Sequence, residues 1–381
     1  MLAGMNAKDG HVRTDEWVLL TRYFPQGWKG AAYSLGALRR ARGIRDPGTL
    51  LRCLLVHLAE GCSLMETAAR VRAAGWADVS PVALFKRLRS SEEWLRWLAE
   101  QLWRQSRPAP AVRGRRVRAV DATTVDEAGR TGSVWRVHYV VNLSNLQCDY
   151  YHLGPTSLGE RFQRVPVKAG DLMLGDRAYG TPPGIDYVCG AGGDVLVRIN
   201  LRMLPLFHAT GRRLSILSRL RTLRVGEARA WPAWVHGPTG PIAGRLVATK
   251  RSAAAARKAR RQLERRANRR QRKVSAASAE AAQYVFVWTS LPEEEYPAEA
   301  ILELYRLRWQ IELTFKRLKS LLGFGQLPKR SDASSRAWLH GKLFVALLTE
   351  RLIEEASLFS PWGYDLEPSP QPLAGDPFYG P

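Results

Sequence analysis

The sequence predicts an α/β protein in which a mixed β-sheet is flanked by helices and preceded by an all-helical N-terminal region. Helix-start signals recur up to about residue 110 with no strand pattern between them. From residue 116 the texture changes to runs rich in Val, Tyr and Thr, bounded by turn residues. The 381 residues, 45% of them hydrophobic, suffice for a sizeable core divided over two or three domains.

In the N-terminal region (residues 1–110), Asp46-Pro47 is a helix start, with a carboxylate cap followed by proline at the first helical position. Leu50, Leu51, Leu54, Leu55 and Leu58 give its apolar stripe, and Gly61 ends it. Ser63 opens a second helix, with Glu66 placed to complete a capping box. Gly75 breaks that helix, and Ser80-Pro81 opens a third, VALFKRLRS, which carries Lys86, Arg87 and Arg89. Two short helices with a break between them, the second ending in basic residues, fit a helix-turn-helix, a pattern that many helical bundles share. Lys86, Arg87 and Arg89 are candidate DNA contacts on that reading.

The next stretch, 111–202, is read as the first part of the α/β core. RVRAVDATTV, SVWRVHYVVNLS and CDYYHLG are three strands expected to pair antiparallel. DLMLGD and DVLVRIN are two more, in the order strand, strand, strand, helix, strand, helix, strand. Residues 203–283 interrupt the pattern as an insertion, partly β-like (RTLRVGEARAW, GRLVATK) and partly a basic run. That run, RSAAAARKARRQLERRANRRQRK, holds 11 Lys or Arg and one acid, Glu264. It is open to two readings: a solvated helix or loop, or a contact to a DNA backbone that includes Arg260 and Arg261. The second part of the core, 284–355, starts with the strand YVFVWTSLP. A long helix over 297–322 and another through RAWLHGKLFVALLTERLI follow. The tail, 356–381, is acidic, with six prolines from residue 361 onward, a composition expected to stay poorly ordered.

Charge narrows the function. Lys and Arg number 58 against 35 Asp and Glu, a net +23. An excess that size repels itself, so it points to a polyanionic partner, nucleic acid before a membrane surface. No pair among Cys53, Cys62, Cys148 and Cys189 has the short spacing of a zinc knuckle or redox motif, which leaves reduced thiols filling the core. Lys8 and Asp9 precede any apolar run, unlike a signal peptide, and no apolar stretch reaches about 18 residues. The expected location is the bacterial cytoplasm, with no membrane association.

Two aspartates end apolar strands. Asp121 follows RVRAV, and Asp176 follows LMLG. Carboxylates at neighbouring strand ends can converge on a hard divalent cation such as Mg²⁺, and a pair of such ions about 3.5–4 Å apart can drive phosphoryl transfer. Each aspartate alone is met equally by a turn former or a helix cap. Asp126 and Asp171 lie nearby and read as loop residues. In YRLRWQIELTFKRLK, Tyr305, Arg308, Glu312 and Lys319 share an arc about 60° wide on an ideal helix, bordering the apolar face. Glu312 could there reach the acidic end of the sheet, with Arg308 and Lys319 beside it to hold phosphates. The same spacing also fits a plain i,i+4 ion pair between Arg308 and Glu312.

These blocks together resemble the DDE transposases of bacterial insertion sequences, in the group with a Tyr-x2-Arg-x3-Glu-x6-Lys signature (insertion-sequence family four). Tyr305, Arg308, Glu312 and Lys319 match that signature in spacing. AVDATTV matches the block of the first aspartate, and LMLGDRAYG, with Tyr179, that of the second. VFVWTSLP just before the signature helix is also typical, and the likeness spans most of residues 40–350. The resemblance implies an RNase H-like catalytic core with a β-rich insertion, and catalytic metal ligands Asp121, Asp176 and Glu312. It implies Mg²⁺ or Mn²⁺, two ions, and DNA contacts from Tyr305, Arg308, Lys316 and Lys319. The implied reaction is cut-and-paste transposition: hydrolysis at the element's ends, then strand transfer. The partners implied are double-stranded DNA, as terminal inverted repeats and as target, and a second copy in a synaptic dimer. Some relatives stack a flipped base on an insertion tryptophan, and Trp231 and Trp234 lie in that region. Two other classes share parts of the pattern: an inactive DNA-binding relative acting as a regulator, and an RNase H-like nuclease. The intact acids argue against the first, and the Tyr-Arg-Lys stripe against the second.

Overall fold

A computed structural model describes residues 17–40, 42–105, 111–127, 133–328 and 331–358. Most of the acidic tail therefore lies outside the described residues. The described parts of the chain form two compact units. Among the described residues, one draws on 17–40, 42–105, 124–127, 133–136, 315–328 and 331–358, and the other on 111–123 and 137–314.

The first unit is built mostly of helices: α1 (Trp28–Ser34), α2 (Pro47–Leu58), α3 (Leu64–Ala73), α4 (Pro81–Ser90) and α5 (Glu92–Arg104). Their starts follow the local chemistry. The Asp46 carboxylate accepts the Thr49 N–H at 3.0 Å, and Ser80 Oγ accepts that of Ala83. Ser63 Oγ accepts the Glu66 N–H, but the expected capping box is only half made, because the Glu66 carboxylate turns to Arg70 at 2.7 Å. A long C-terminal helix, Asp332–Leu358, packs along α5 and touches α2 and α4.

The sheet has nine strands. In chain order they are β1 (Arg116–Glu127), β2 (Ser133–Asn142), β3 (Cys148–Pro155), β4 (Asp171–Gly175) and β5 (Asp194–Arg198), then β6 (Ala228–Pro232), β9 (Arg245–Lys250), β10 (Tyr284–Thr289) and β11 (Gln326–Leu327). A separate two-stranded ribbon is formed by β7 (Val235–Gly237) and β8 (Gly240–Ile242). The spatial order is β3-β2-β1-β4-β5-β10-β9-β6, with β11 beside β1. β1, β4 and β5 run parallel, while β10 is antiparallel to β5 and β9. This mixed sheet, with helices against it, is the RNase H-like architecture. β9 and β6, from residues 203–283, continue the same sheet beyond β10.

The helices of the second unit are α6 (Pro182–Gly190), α7 (Ile216–Leu220), α8 (Ala253–Arg269), α9 (Ala276–Ala281) and α10 (Ala298–Arg306). α11 (Trp309–Leu321) and α12 (Asp332–Leu358) follow. α10 packs against β5, β6 and β9, and α6 packs against β5. Phe162, Met173, Tyr179, Val197, Phe286 and Trp288 anchor the core of this unit, with Trp231 packed on its edge. None of the four cysteines is in a disulfide, and three of them are buried. Among the described residues no helix is long and apolar enough to cross a membrane.

Four expectations change. The helix expected between the third and fourth strands is a single 3₁₀ turn, Phe162–Arg164. Asp171 is no loop residue: it opens β4, 2% exposed, because Arg116 and Arg118 pair with it at 2.7 and 2.9 Å and so offset its burial. Asp126 is likewise within β1, which runs on to Glu127 because β11 extends its ladder, with Asp126 opposite Gln326. The continuous helix expected over 297–322 is also broken, after Arg306. The N–H groups of Leu307, Arg308, Gln310 and Ile311 each bond three residues back, which tightens the junction into 3₁₀ turns.

Candidate active site

The site forms where the parallel strands end. The register of β1 on β4 pairs Ala119 with Leu174, so two residues on Asp121 comes level with Asp176, just past the end of β4. Local bonds hold both carboxylates. The Asp121 side chain accepts the Ala122 N–H at 2.8 Å, and that of Asp176 accepts the Ala178 N–H at 2.7 Å. The short strand β4 is fully buried, so its apolar run drives Asp176 to the rim by position alone. Asp121 lies mid-strand, since β1 continues past it.

Burial and the like charge of Asp176 push the Asp121 carboxyl up to about 7, against the pull of Arg308 and the Ala122 N–H. Glu160 adds to the negative field there.

Arg308 supplies the compensating charge. Its guanidinium lies 3.4 Å from Asp121 Oδ2 and forms a close ion pair with Glu312 Oε1. Arg308 is 15% exposed, Asp121 18% and Glu312 36%. Burial opposes the Arg308 charge, but Tyr305, Glu312 and Asp121 outweigh it and hold its pKa above the ordinary value. The same guanidinium sits 5.9 Å from the centre of the Tyr305 ring, and burial pushes the Tyr305 phenol up. Tyr305 ends α10 and Glu312 lies in α11, so the 3₁₀ junction, and not one ideal helix, brings them to Arg308. As placed, Glu312 faces Arg308, and among the described residues no three His, Cys, Asp or Glu side chains converge as a metal cage.

The other candidates disperse. Lys316 and Lys319 are exposed on the later turns of α11, in the other unit. Lys86 and Arg89 are exposed on α4, with Arg89 6.0 Å from the centre of the Phe85 ring. Arg87 is occupied, since its guanidinium donates to the carbonyls of Arg40 and Arg42. Arg260 pairs with Glu264 at 3.0 Å, while Arg261 is exposed beside it on α8.

Two basic residues near Tyr305 escaped the sequence reading, Arg177 and Arg198. Arg198 ends β5, the next parallel strand after β4. Arg198 follows an apolar strand run much as Asp176 does, a positional signal visible in the sequence for a cation as for an acid.

A mixed sheet that gathers partly buried carboxylates and an arginine at one end fits the RNase H-like class of enzyme. A family profile for the transposase DDE domain matches residues 112–348. The transposase of insertion sequence element IS421 of Escherichia coli is 34% identical over 358 residues, covering 91% of this chain and 96% of that protein. InsL of element IS186A, from E. coli strain K12, is 34% identical over 357 residues with the same coverage. The transposase of IS231F from Bacillus thuringiensis subsp. israelensis is 25% identical over 197 residues, 48% of this chain and 41% of that one. Among solved structures, a piggyBac transposase synaptic complex with hairpin DNA aligns at TM-score 0.50 and 10% identity, over 89% of this chain and 75% of that one. The chain therefore belongs to the DDE transposases of bacterial insertion sequences, enzymes that cleave DNA and transfer strands, with chemistry that depends on divalent metal.

Proposed function

We propose that this transposase excises and inserts its element by cut-and-paste, acting on terminal inverted repeats and then on target DNA, in the cytoplasm and as a synaptic dimer. The observation that carries this reading is the level placement of Asp121 and Asp176 on adjacent parallel strands, with Arg308 and Glu312 against Asp121.

The donor set fits a hard divalent cation. All three donors are carboxylates, and Asp121 is held up near neutrality partly by the charge of Asp176, a repulsion that a cation relieves. Asp121 and Asp176 would hold Mg²⁺ or Mn²⁺, and Glu312 joins them when its pair with Arg308 opens. Two such ions would supply an activated attacking oxygen and a stabilised leaving oxygen. The protein does the positioning. Arg308, released from Glu312, can hold a phosphate through two parallel N–H bonds. Tyr305, with its ring centre 5.9 Å from the guanidinium, helps hold it in place.

The test is cleavage of a labelled duplex carrying the element ends, with Mg²⁺ or Mn²⁺ and with EDTA. Nicking should require metal. Asp121→Ala, Asp176→Ala and Glu312→Ala should each lose about 1000-fold or more in rate, several kcal/mol of transition-state stabilisation, with end binding largely kept. Binding without nicking in either metal would make the protein a regulator with relic acids.

A further inference from the structure

We propose that one face of α8 is a rail for the phosphate backbone of duplex DNA, set at the acidic end of the sheet. The proposal deepens the transposase reading and rests on it.

α8 is amphipathic in an unusual way. Ala255 and Ala259 are its buried residues, so its inner face is small and close-packed. Its outer face repeats arginine every fourth residue: Arg257, Arg261, Arg265 and Arg269, all exposed, with Lys258 alongside. At about 100° per residue the four arginines fall within an arc about 120° wide, which runs from the side opposite the two alanines at Arg257 to within about 40° of Ala255 at Arg269. Arg257, Lys258, Arg261 and Arg265 border a shallow groove floored by Ala254. The single acid of the helix, Glu264, lies at the edge of this face and is paired with Arg260.

Such a face works against the helix that carries it. Arg257–Arg261, Arg261–Arg265 and Arg265–Arg269 are like-charged i,i+4 pairs, each unfavourable to an isolated helix. A polyanion removes that repulsion. The rise from residue 257 to 269 is about 18 Å, a length over which duplex DNA presents about ten phosphates. A membrane surface fits less well, because an interfacial helix needs bulky apolar residues opposite its cations. α8 has mainly alanines there, with Leu263 the one bulky apolar residue.

The register fixes where the rail starts. Lys250, the end of β9, pairs with Tyr284, the start of β10. β10 is antiparallel to β5, with Val287 opposite Arg198, so Tyr284 lies past the C-terminal end of β5. α8 thus leaves the sheet at the end where Asp121 and Asp176 sit. From β1 across β4, β5 and β10 to β9 is four strand spacings, about 19 Å. One duplex lying across this end of the sheet meets both the acids and the arginines.

The experiment measures binding of fluorescent duplexes against salt concentration, without metal, for an element-end sequence and a mixed sequence. The variant combines Arg257→Gln, Arg261→Gln, Arg265→Gln and Arg269→Gln. Glutamine is a comparable helix former, and thermal melting checks that the fold is kept. A rail predicts a salt slope shallower by about 3 to 4 and equally so for both sequences, since each phosphate contact contributes about 0.9. Restoring charge with lysine at the four positions should restore the slope. A control with Arg212→Gln, Arg213→Gln, Arg219→Gln and Arg224→Gln, exposed arginines elsewhere in the unit, should change it by less than about 1. An unchanged slope in the α8 variant, an equal loss in the control, or a loss confined to one sequence overturns the rail. So does loss of binding to anionic vesicles with DNA binding intact. Failure of the wild-type protein to bind either duplex would instead overturn the transposase reading beneath it.

Discussion

Arg308 is the residue on which the candidate site turns. Asp121, Asp176, Glu312 and Glu160 bring negative charge to one rim of a buried sheet, and the Arg308 guanidinium answers two of these carboxylates at once. Removing one partner of a largely buried pair leaves the others uncompensated, which costs more than the pair itself gains. Arg308→Ala should therefore destabilise the metal-free protein by about 1–3 kcal/mol, the half-exposed Glu312 keeping the loss below that of a fully buried pair. Added Mn²⁺ should recover more stability in the variant than in the wild type, because the ion then supplies the missing charge. Urea melts with and without metal read both effects; equal stability without metal would mean the guanidinium offsets nothing. Arg308→Lys, with a single point charge in place of a planar fork, should fall between the two. Asp121, Asp176 and Glu312 can each be singled out as candidates from the sequence because apolar runs and spacing are local. Their geometry was not legible: the ideal-helix arc assumed one helix, whereas Tyr305 and Glu312 sit on opposite sides of a 3₁₀ junction.

Elements show the same division between local and tertiary causes. The helix starts at Asp46, Ser63 and Ser80 follow from side-chain caps within three residues, and the structure makes all three bonds. The break after Arg306 has no glycine or proline to announce it, so packing imposes it on a sequence otherwise suited to helix. The joining of β9 and β6 to the core sheet was equally hidden, since strand pairing across an insertion depends on distant partners. Gly244 shows how closely these strands approach. A Cβ there would stand 2.3 Å from the Trp288 ring and 2.5 Å from the Thr289 carbonyl oxygen. The Trp288 indole donates to the Ala233 carbonyl at 3.0 Å and is fixed by that bond, so it has little freedom to yield. Gly244→Ala should cost about 1–3 kcal/mol or more through overpacking, with the unfolding midpoint lowered in denaturant. A midpoint at or above that of the wild type would mean that β9 and β10 can part without loss.

At the scale of the whole molecule, the +23 charge makes stability sensitive to every further proton taken up. α12 carries a group that sharpens this sensitivity. His340 is 6% exposed, and burial, aided by Arg96 and Arg336, holds its pKa down to about 3. In the unfolded chain the same imidazole titrates near 6.5. Between these two values the unfolded state binds a proton that the folded state refuses, so stability rises with pH across the window and falls as pH drops below about 6.5. Above that value both states are neutral and His340 contributes no slope. Between pH 6.5 and 5 its share of the loss is about 1–2 kcal/mol. Replacing it by His340→Gln removes the titration while any packing cost of the substitution cancels between the two pH values. Urea melts at pH 5 and pH 7.5 should then show a smaller acid loss in the variant than in the wild type. Equal losses would assign the acid sensitivity to the accumulated positive charge.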